Sequence, residues 1–267
     1  MSGFPAPDPA ATALVTGASS GLGAEFARAL AAAGHGVSLL ARREERLEEL
    51  AAVLRADHAV RVEVLPCDLT DPGSRAELPA RLAELGLRVD ILVNNAGFAT
   101  GGPFEASPLE EELQQVRLLC EAPVDLMRRF LPPMLARGEG AILNVTSTAG
   151  MLPLPYSAGY AAAKAHLLSL SESLHAEVRG RGVTVTAVCP PPVRTELFDK
   201  TDHPVERVPD VAWLDADEVV SAALDAARRG KRVVVPKPLA RATAPVLRFA
   251  PRSLELRAVA WWFKPRR

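Results

Sequence analysis

The chain has 267 residues, of which 48% are hydrophobic and 24% charged, and its formal net charge is −1. This length fits one α/β domain with an ample core, and the balanced charge excludes a general affinity for nucleic acid. Cys67, Cys120 and Cys189 form no C-x-x-C pair, and the five histidines show no ligand spacing. We therefore expect reduced, buried thiols, no disulfide framework and no metal site. With no signal peptide and no apolar run of about 18 residues, a cytoplasmic protein is expected.

Strand and helix signals alternate along the chain. Strands are predicted at residues 13–16, 36–40, 60–65, 89–93, 141–145, 183–188 and 232–235, with helices between them. The alternation predicts an α/β fold with one doubly wound, mainly parallel Rossmann-type sheet flanked by helices. This domain should occupy residues 11–236, after an N-terminal arm over 1–10 and before a basic extension over 237–267.

One predicted helix has a distinct start and bend. The motif Ser107-Pro108-Leu109-Glu110 predicts a capping box with proline at the first helical position. The helix should run toward residue 135, and Pro123 is expected to bend it.

A glycine-rich turn follows the first strand, in the run Gly17-Ala18-Ser19-Ser20-Gly21-Leu22-Gly23. Glycine permits a tight turn and lets backbone N–H groups approach a pyrophosphate at the start of the next helix. Many strand-to-helix turns need glycine for their geometry alone, which is the alternative explanation. Between a strand and a helix, however, the turn predicts nucleotide binding.

A second chemical signal lies in the run NVTSTAGMLPLPYSAGYAAAKAHLLSL, which holds Ser147, Tyr160 and Lys164. Tyr160 and Lys164 are four residues apart and therefore share one face of a predicted helix, while Ser147 follows an apolar strand. An ammonium group stabilises phenolate, so we expect the pKa of Tyr160 to lie below its ordinary value of about 10. A phenol beside an ammonium and a hydroxyl suits proton donation to a carbonyl oxygen. The alternative is a helix with a polar face.

These motifs resemble the short-chain dehydrogenase/reductase family. Its cofactor turn (TGASSGLG at 16–23) and its NNAG strand end (94–97) occur in order before Ser147, Tyr160 and Lys164. The resemblance implies hydride transfer between a nicotinamide and a carbonyl or alcohol, with Tyr160 as acid or base. Ser147 would orient the substrate oxygen, and Lys164 would hold the nicotinamide ribose. Family members also form homodimers or homotetramers, which we expect here by analogy.

The resemblance and the charge pattern together predict the cofactor contacts. Asp68 in PCDLTD is similar to the aspartate that contacts the adenine ring, and Thr195 matches a residue that contacts the carboxamide. The full predicted set comprises Gly17, Ser19, Ser20, Gly21, Leu22, Gly23, Arg42, Arg43, Asp68, Leu69, Asn94, Ala96, Gly97, Tyr160, Lys164, Pro190, Val193 and Thr195.

The residues after the second strand bear on the choice of cofactor. An acidic residue there would hydrogen-bond a ribose 2′-hydroxyl and repel a 2′-phosphate. This chain has Arg42 and Arg43 instead, and no acid until Glu44. A guanidinium suits a phosphate, so NADP(H) is predicted over NAD(H), with hydroxyl contacts from Ser19 and Ser20. The alternative is that both arginines point to solvent.

Two positions depart from the family pattern. Leu119 stands where the family has a catalytic asparagine in a helix bend whose carbonyl supports a water chain to the lysine. Pro191 replaces the glycine of a Pro-Gly pair after the sixth strand, which removes backbone freedom. Leu119 still has a backbone carbonyl, and Pro123 can bend the helix. The water chain to the lysine is therefore either retained or impaired. A cofactor-binding scaffold or sensor without turnover is therefore an alternative to an active carbonyl reductase.

The predicted substrate is a hydrophobic ketone or secondary alcohol. Residues 151–155 are mostly apolar, Phe98, Phe104 and Phe198 flank the expected pocket, and residues 198–211 should form a lid. Some of these residues must belong to the core.

The extension at 237–267 differs in charge from the rest of the chain. Its eight basic residues and one acid give it a charge of +7, against −8 for the remainder, and it carries Trp261, Trp262 and Phe263. Such a segment either packs on the acidic body or a second subunit, or contacts an anionic membrane surface. The second possibility would make the protein a membrane-surface reductase of lipid or acyl ketones.

Overall fold

The computed structural model describes residues 4–196, 208–236 and 252–264. Its strands are β1 (Ala11–Thr16), β2 (Val37–Ala41), β3 (Val62–Pro66), β4 (Arg88–Asn94), β5 (Gly140–Val145), β6 (Val183–Val188) and β7 (Val233–Val234). Its α-helices are α1 (Gly21–Ala32), α2 (Glu44–Asp57), α3 (Pro72–Glu84), α4 (Leu109–Val116), α5 (Ala122–Arg137), α6 (Ala158–Glu177), α7 (Ala216–Arg228) and α8 (Arg252–Phe263). Short 3-10 turns lie at Phe104–Ala106, Thr148–Met151 and Asp210–Ala212.

The strands of the described residues form one parallel sheet in the order β3-β2-β1-β4-β5-β6-β7. β1 pairs with β2 on one side and with β4 on the other, so the strand order reverses between β1 and β4. The predicted doubly wound Rossmann-type sheet is confirmed. In such a sheet, ligands bind beyond the carboxyl ends of the strands at the point of reversal.

Helices cover both faces of the sheet, which is why its strands are almost entirely apolar. On one face, α1, α2 and α7 pack through buried residues such as Phe26 and Leu47. On the other face, α3, α5 and α6 pack through Leu78, Leu126 and Leu167. Because helices cover both faces of the sheet, a ligand is expected to bind at the carboxyl ends of the strands.

The start of α4 differs from the prediction. The helix begins at Leu109, with Pro108 at the N-cap in an extended conformation (ψ 128°). Proline has no side-chain oxygen to cap a helix, and the Ser107 hydroxyl instead donates to Glu112 Oε1 at 2.7 Å. The predicted capping box at 107–110 is therefore wrong.

This long helix is irregular just before Pro123, the residue at which a bend was predicted. The backbone widens into a π-helical turn at Arg117–Glu121, between α4 and α5, and Pro123 follows that turn. Proline has no N–H to donate to the carbonyl of Leu119 four residues earlier, so a regular α-helical bond is missing there. The irregularity is thus a π turn that precedes the proline.

Several predictions concern residues outside the described part of the chain. Phe198, most of the predicted lid at 198–211 and most of the extension at 237–267 lie there, and the extension is described only over α8 and Lys264. In the described ranges, no helix is both long and apolar enough to cross a membrane. The three cysteines are free, and while Cys67 and Cys189 are buried as expected, Cys120 is only half-buried.

Candidate active site

The glycine-rich turn between β1 and α1 requires residues that have no Cβ. Gly17 and Gly21 have φ angles of +67° and +54°, which glycine adopts without strain. A Cβ at Gly23 would overlap the Gly17 carbonyl oxygen, and a Cβ at Gly17 would lie 2.8 Å from Ala96 Cα. Leu22, between the glycines, packs half-buried against the core beneath α1. The backbone therefore approaches both itself and the end of β4 closely at this turn.

The start of α1 suits an anion. Ser20 is the N-cap residue, but its side chain makes no capping hydrogen bond to the helix. N–H groups of a first helical turn have no intrahelical acceptor, and the positive end of the helix dipole lies there. The turn and this helix start therefore fit the pyrophosphate of a dinucleotide.

Arg43 connects the glycine-rich turn to the start of α2. Its Nη2 donates to Ser19 Oγ and Ser20 Oγ at 2.9 Å each, and its Nε donates to Ser19 Oγ at 3.2 Å. The structure thus brings three predicted residues together at one point. Arg42, the other predicted arginine, is exposed and makes no hydrogen bond to any part of the chain that the structure describes.

Two residues that sequence reasoning missed complete this charged cluster. Arg46 Nη1 donates to Glu196 Oε1 at 2.8 Å and to Glu196 Oε2 at 3.1 Å, and Arg43 Nη1 donates to Glu196 Oε2 at 3.2 Å. These two arginines hold the pKa of the Glu196 carboxyl below its ordinary value. The i, i+3 spacing of the arginines was a signal for Arg46, whereas no local pattern points to Glu196.

Hydrogen bonds of Thr16 and Asn95 join the carboxyl ends of β1 and β4. Thr16 Oγ1 donates to Val93 O at 3.1 Å and accepts from the N–H groups of Asn95 and Ala96 at 2.9 and 3.0 Å. Asn95 Nδ2 donates back to Thr16 O at 3.0 Å. Sequence reasoning gave neither residue a role. Each is a polar residue at the end of an apolar strand, which was the available signal.

The Asn94 side chain lies in the core beneath the site. Its Nδ2 donates to Asn144 Oδ1 at 2.8 Å, and Asn144 Nδ2 donates to Ser171 Oγ at 2.8 Å, which joins β4, β5 and α6. Asn94 Oδ1 has no hydrogen-bond partner among the described residues. The predicted contact of Asn94 with a cofactor therefore depends on its backbone. Asn144 and Ser171 are further residues that sequence reasoning missed.

A buried arginine holds the loop after β3. Arg75 is 2% exposed, and it donates through Nη1 to Leu69 O at 2.6 Å and through Nε to Asp125 Oδ2 at 2.8 Å. Its Nη2 contacts the carboxylate of Glu121 in the π turn. Asp68 Oδ1 accepts from the N–H and hydroxyl two residues later, at 2.9 and 2.8 Å. Arg75 thereby connects the loop of the predicted adenine contacts to the π turn beside the predicted catalytic residues.

Ser147, Tyr160 and Lys164 lie together, as predicted. Ser147 follows β5 and caps the 3-10 turn, where its Oγ accepts from Ala149 N–H at 3.1 Å. Because that bond uses a lone pair of Oγ, the hydroxyl proton remains available for donation. Ser147 lies near enough to Tyr160 to lower the pKa of its phenol, and Lys164 Nζ lies 5.7 Å from the centroid of the Tyr160 ring.

Burial has the largest effect on the pKa values of Tyr160 and Lys164. Tyr160 and Lys164 are 8% and 4% exposed. Burial raises the pKa of Tyr160 to about 12, against the lowering effect of Ser147, and lowers the pKa of Lys164 to about 8. The expectation that the pKa of Tyr160 lies below its ordinary value is therefore wrong, because the loss of water on burial destabilises the phenolate. Lys164 Nζ donates to Val145 O at 2.8 Å.

Leu119 fills the wall of the site beside Gly97. It is 1% exposed and shares a small apolar cluster with Tyr160 and Ala163. A Cβ at Gly97 would lie 2.8 Å from Leu119 Cδ2 and 3.8 Å from Lys164 Nζ. The end of the leucine side chain therefore lies close against Gly97 and would have to move to make room for a Cβ there.

The segment after β6 covers the glycine-rich turn. Pro190 O accepts from the N–H of Thr148 at 3.0 Å, and Val193, which is 5% exposed, forms a parallel bridge with Leu214. A Cβ at Gly21 would lie 3.2 Å from Thr195 Cβ. The segment thus bridges the 3-10 turn after Ser147 and the start of α1.

The predicted apolar pocket residues differ in exposure. Leu154 is buried, Phe98 is half-buried, and Phe104 is 63% exposed. A groove of about 600 Å³ lies on α5 and α6, its lining does not include Tyr160, and its apolar residues include Met127, Leu131, Leu135, Leu170 and Leu174. Within the described ranges, no group of three or more His, Cys, Asp or Glu side chains is arranged to hold a metal ion.

Known proteins resemble this chain in sequence and in structure. The family profile described as short chain dehydrogenase matches residues 11–206. A short chain dehydrogenase of Pseudocercospora fijiensis is 38% identical over 189 residues, which are 70% of this chain and 60% of its relative. The chain spans about three fifths of the length of the first curated relatives that it matches.

Two solved structures extend the comparison. A short-chain dehydrogenase from Sphingobium yanoikuyae, in complex with NADPH, has a TM-score of 0.81 and 37% identity, covering 91% of this chain and 94% of the other. The bulky-bulky ketone specific alcohol dehydrogenase from Comamonas testosteroni has a TM-score of 0.75 and 31% identity, covering 91% of this chain and 95% of the other.

Proposed function

The chain belongs to the short-chain dehydrogenase/reductase family of NAD(P)-dependent oxidoreductases, and on this basis we propose its reaction. Hydride passes between the nicotinamide of NADP(H) and a hydrophobic ketone or secondary alcohol, and Tyr160 exchanges the proton with the substrate oxygen. The observation that carries this proposal is the cluster of half-buried Ser147 with buried Tyr160 and Lys164 at the carboxyl ends of the strands.

The chain's own residues would handle the proton. With a pKa raised to about 12, Tyr160 is a neutral phenol at working pH and suits proton donation to a ketone. Ser147 has a hydroxyl proton free to orient the same oxygen, and the Lys164 ammonium stabilises the phenolate left after donation. General acid–base catalysis of this kind contributes about 10²–10⁴-fold. The nicotinamide, when bound, supplies the hydride.

The charged cluster at the start of α2 supports NADP(H) over NAD(H). Arg43 is held by Ser19 and Ser20 beside the glycine-rich turn, and Arg46 lies one turn further along the helix. Two guanidinium groups at this place suit the 2′-phosphate of NADP(H). The structural relative from Sphingobium yanoikuyae is a complex with NADPH.

An apolar wall supports a hydrophobic substrate. Leu119 and Ala99 are buried next to Tyr160, and a wall of this kind gains free energy by covering apolar substrate surface. The structural relative from Comamonas testosteroni is described as specific for bulky-bulky ketones. We therefore assign a ketone with a large apolar substituent as the substrate class.

The test is NADPH oxidation against a panel of ketones that vary in size and polarity. We expect turnover with bulky apolar ketones, at a kcat/KM at least about tenfold higher with NADPH than with NADH. Ser147→Ala should lower kcat/KM by about 10²-fold, because the substrate oxygen loses one donor. Tight NADPH binding without turnover on any ketone or alcohol would contradict the proposal and favour the scaffold, with Leu119 the first residue to change.

A second copy of the chain is the proposed partner at the groove on α5 and α6. The groove is apolar at its centre and carries Arg128, Glu177 and Arg181 at its margin. An apolar centre with a charged rim is typical of a subunit interface. The homodimer or homotetramer expected for the family would bury this surface.

Contact of the C-terminal extension with a membrane is a second candidate function, favoured by an exposed aromatic residue. Trp261 in α8 is 76% exposed, in a segment whose net charge is +7. Tryptophan and basic residues together suit the interface of an anionic bilayer. This contact would place a cytoplasmic protein at the periphery of a membrane.

Vesicle co-sedimentation tests the membrane contact. The full chain should sediment with vesicles that contain phosphatidylserine, and Trp261→Ser should reduce the bound fraction several-fold. Phe104→Ser is the matched control, because it removes an exposed aromatic from the body of the protein. Equal sedimentation of all three proteins would exclude a role for Trp261.

A further inference from the structure

We infer that Glu196 competes with the cofactor phosphate for Arg43 and Arg46, and thereby limits both the affinity for NADP(H) and its selectivity over NAD(H). The inference rests on the proposed NADP(H) function. It assigns a specificity-determining role to a carboxylate that lies on the segment after β6, far in sequence from the predicted phosphate contacts.

The carboxylate occupies the donors that a phosphate would need. Both oxygens of Glu196 accept from Arg46 Nη1, at 2.8 and 3.1 Å, and Oε2 also accepts from Arg43 Nη1 at 3.2 Å. The other side of the Arg43 guanidinium, Nε and Nη2, donates to Ser19 and Ser20. A phosphate that binds between the two arginines must therefore displace the carboxylate.

The residue before Glu196 lies against the glycine-rich turn. The Thr195 side chain lies against Gly21 at the start of α1, so the next residue reaches the two arginines across the glycine-rich turn. Glu196 thus joins the segment after β6 to α2 over the place where the cofactor would lie. Its displacement would separate that segment from α2 at the same step as phosphate binding.

The bridge is weak enough to exchange. The side chains of Arg43, Arg46 and Glu196 are 45%, 45% and 50% exposed, so solvent screens each ion pair. A phosphate monoester carries up to about two negative charges near neutral pH, against one for the carboxylate. The phosphate therefore displaces the carboxylate. The apparent affinity for NADP(H) is nevertheless reduced, because the phosphate can bind only to molecules in which Glu196 has released the two arginines. For an exposed network of this size we expect a reduction of about fivefold.

Glu196→Gln provides the test because it keeps the size of the side chain and removes the charge. Dissociation constants for NADPH and NADH would be measured by fluorescence titration at fixed low ionic strength, without substrate. We expect the variant to bind NADPH about fivefold more tightly and NADH with less than about a twofold change, because NADH has no 2′-phosphate. Adenosine 2′,5′-bisphosphate, against AMP as reference, should show the same gain.

Glu48→Gln is the matched control. It removes another exposed carboxylate from α2, one that pairs with Arg55 at 3.7 Å and not with the cluster. A similar gain in both variants would mean that general charge, not the bridge, controls binding, and would overturn the inference.

The remaining outcomes separate the inference from the proposed cofactor. If the wild-type protein prefers NADPH and Glu196→Gln binds it no more tightly, the inference is overturned and the cofactor assignment stands. If neither protein distinguishes NADPH from NADH, both fail. If the preference for NADPH emerges only in the variant, the inference is supported.

Discussion

Replacement of Tyr160 by phenylalanine should lower kcat for ketone reduction by about 10³-fold. The phenol is buried in the cluster with Ser147 and Lys164, and burial raises its pKa to about 12, so it keeps its proton at neutral pH. The aromatic ring itself packs with Leu119 and Ala163. Phenylalanine keeps that packing, so we expect the affinity for NADPH to change by less than about twofold. The defect should therefore appear in kcat and not in cofactor binding.

The chain offers a matched control, because Tyr156 is its only other tyrosine. Tyr156 lies on the turn before α6 with φ +65°, and its carbonyl accepts from the N–H of Gly102 at 2.9 Å. Tyr156→Phe keeps this backbone and should leave kcat within about threefold of the wild type. Steady-state kinetics and a cofactor titration on both variants provide the measurement. A Tyr160→Phe enzyme with more than about a tenth of wild-type turnover would assign the proton transfer to another group.

Replacement of Lys164 by methionine should stabilise the protein while it abolishes turnover. Burial lowers the pKa of Lys164 from 10.5 to about 8, which corresponds to about 3 kcal/mol against the charged form in the folded state. Methionine has a similar volume and no charge. Its introduction leaves the Val145 carbonyl without the Nζ donor, which costs about 1–2 kcal/mol. We therefore expect the free energy of unfolding at pH 7 to rise by about 1–2 kcal/mol.

The pH dependence of stability gives an independent readout. Between pH 8 and about 10, the unfolded lysine stays protonated while the folded lysine has lost its proton, so the unfolded chain binds more protons. Wild-type stability should therefore rise with pH in this window, and the Lys164→Met protein should lack this part of the rise. Urea unfolding at several pH values measures it. Lys231→Met, at an exposed lysine, is the control and should change stability by less than about 0.5 kcal/mol. A Lys164→Met protein less stable than the wild type would contradict the argument.

The sequence by itself determined the sheet architecture and predicted which residues form the candidate catalytic cluster. Hydrophobic periodicity is local, so the strands and helices could be located within a few residues, and their alternation implied the parallel order. The spacing of the motif was also enough to predict that Ser147, Tyr160 and Lys164 lie together. Tyr160 and Lys164 are one helical turn apart, and Ser147 follows the end of a strand. The capping box at 107–110 failed because a proline, with no side-chain oxygen, occupies the N-cap.

Only the tertiary structure decided which distant residues meet. Glu196 reaches Arg43 and Arg46 from 150 or more residues away, and Arg75 joins the loop after β3 to the π turn. No local pattern encodes such contacts, since they depend on which strand ends lie side by side. The same holds for ionisation: the spacing of Tyr160 and Lys164 suggested a lowered phenol pKa, but the pKa is raised. Burial is a property of everything packed around a side chain, and here the loss of water raises the pKa of Tyr160 more than Ser147 lowers it.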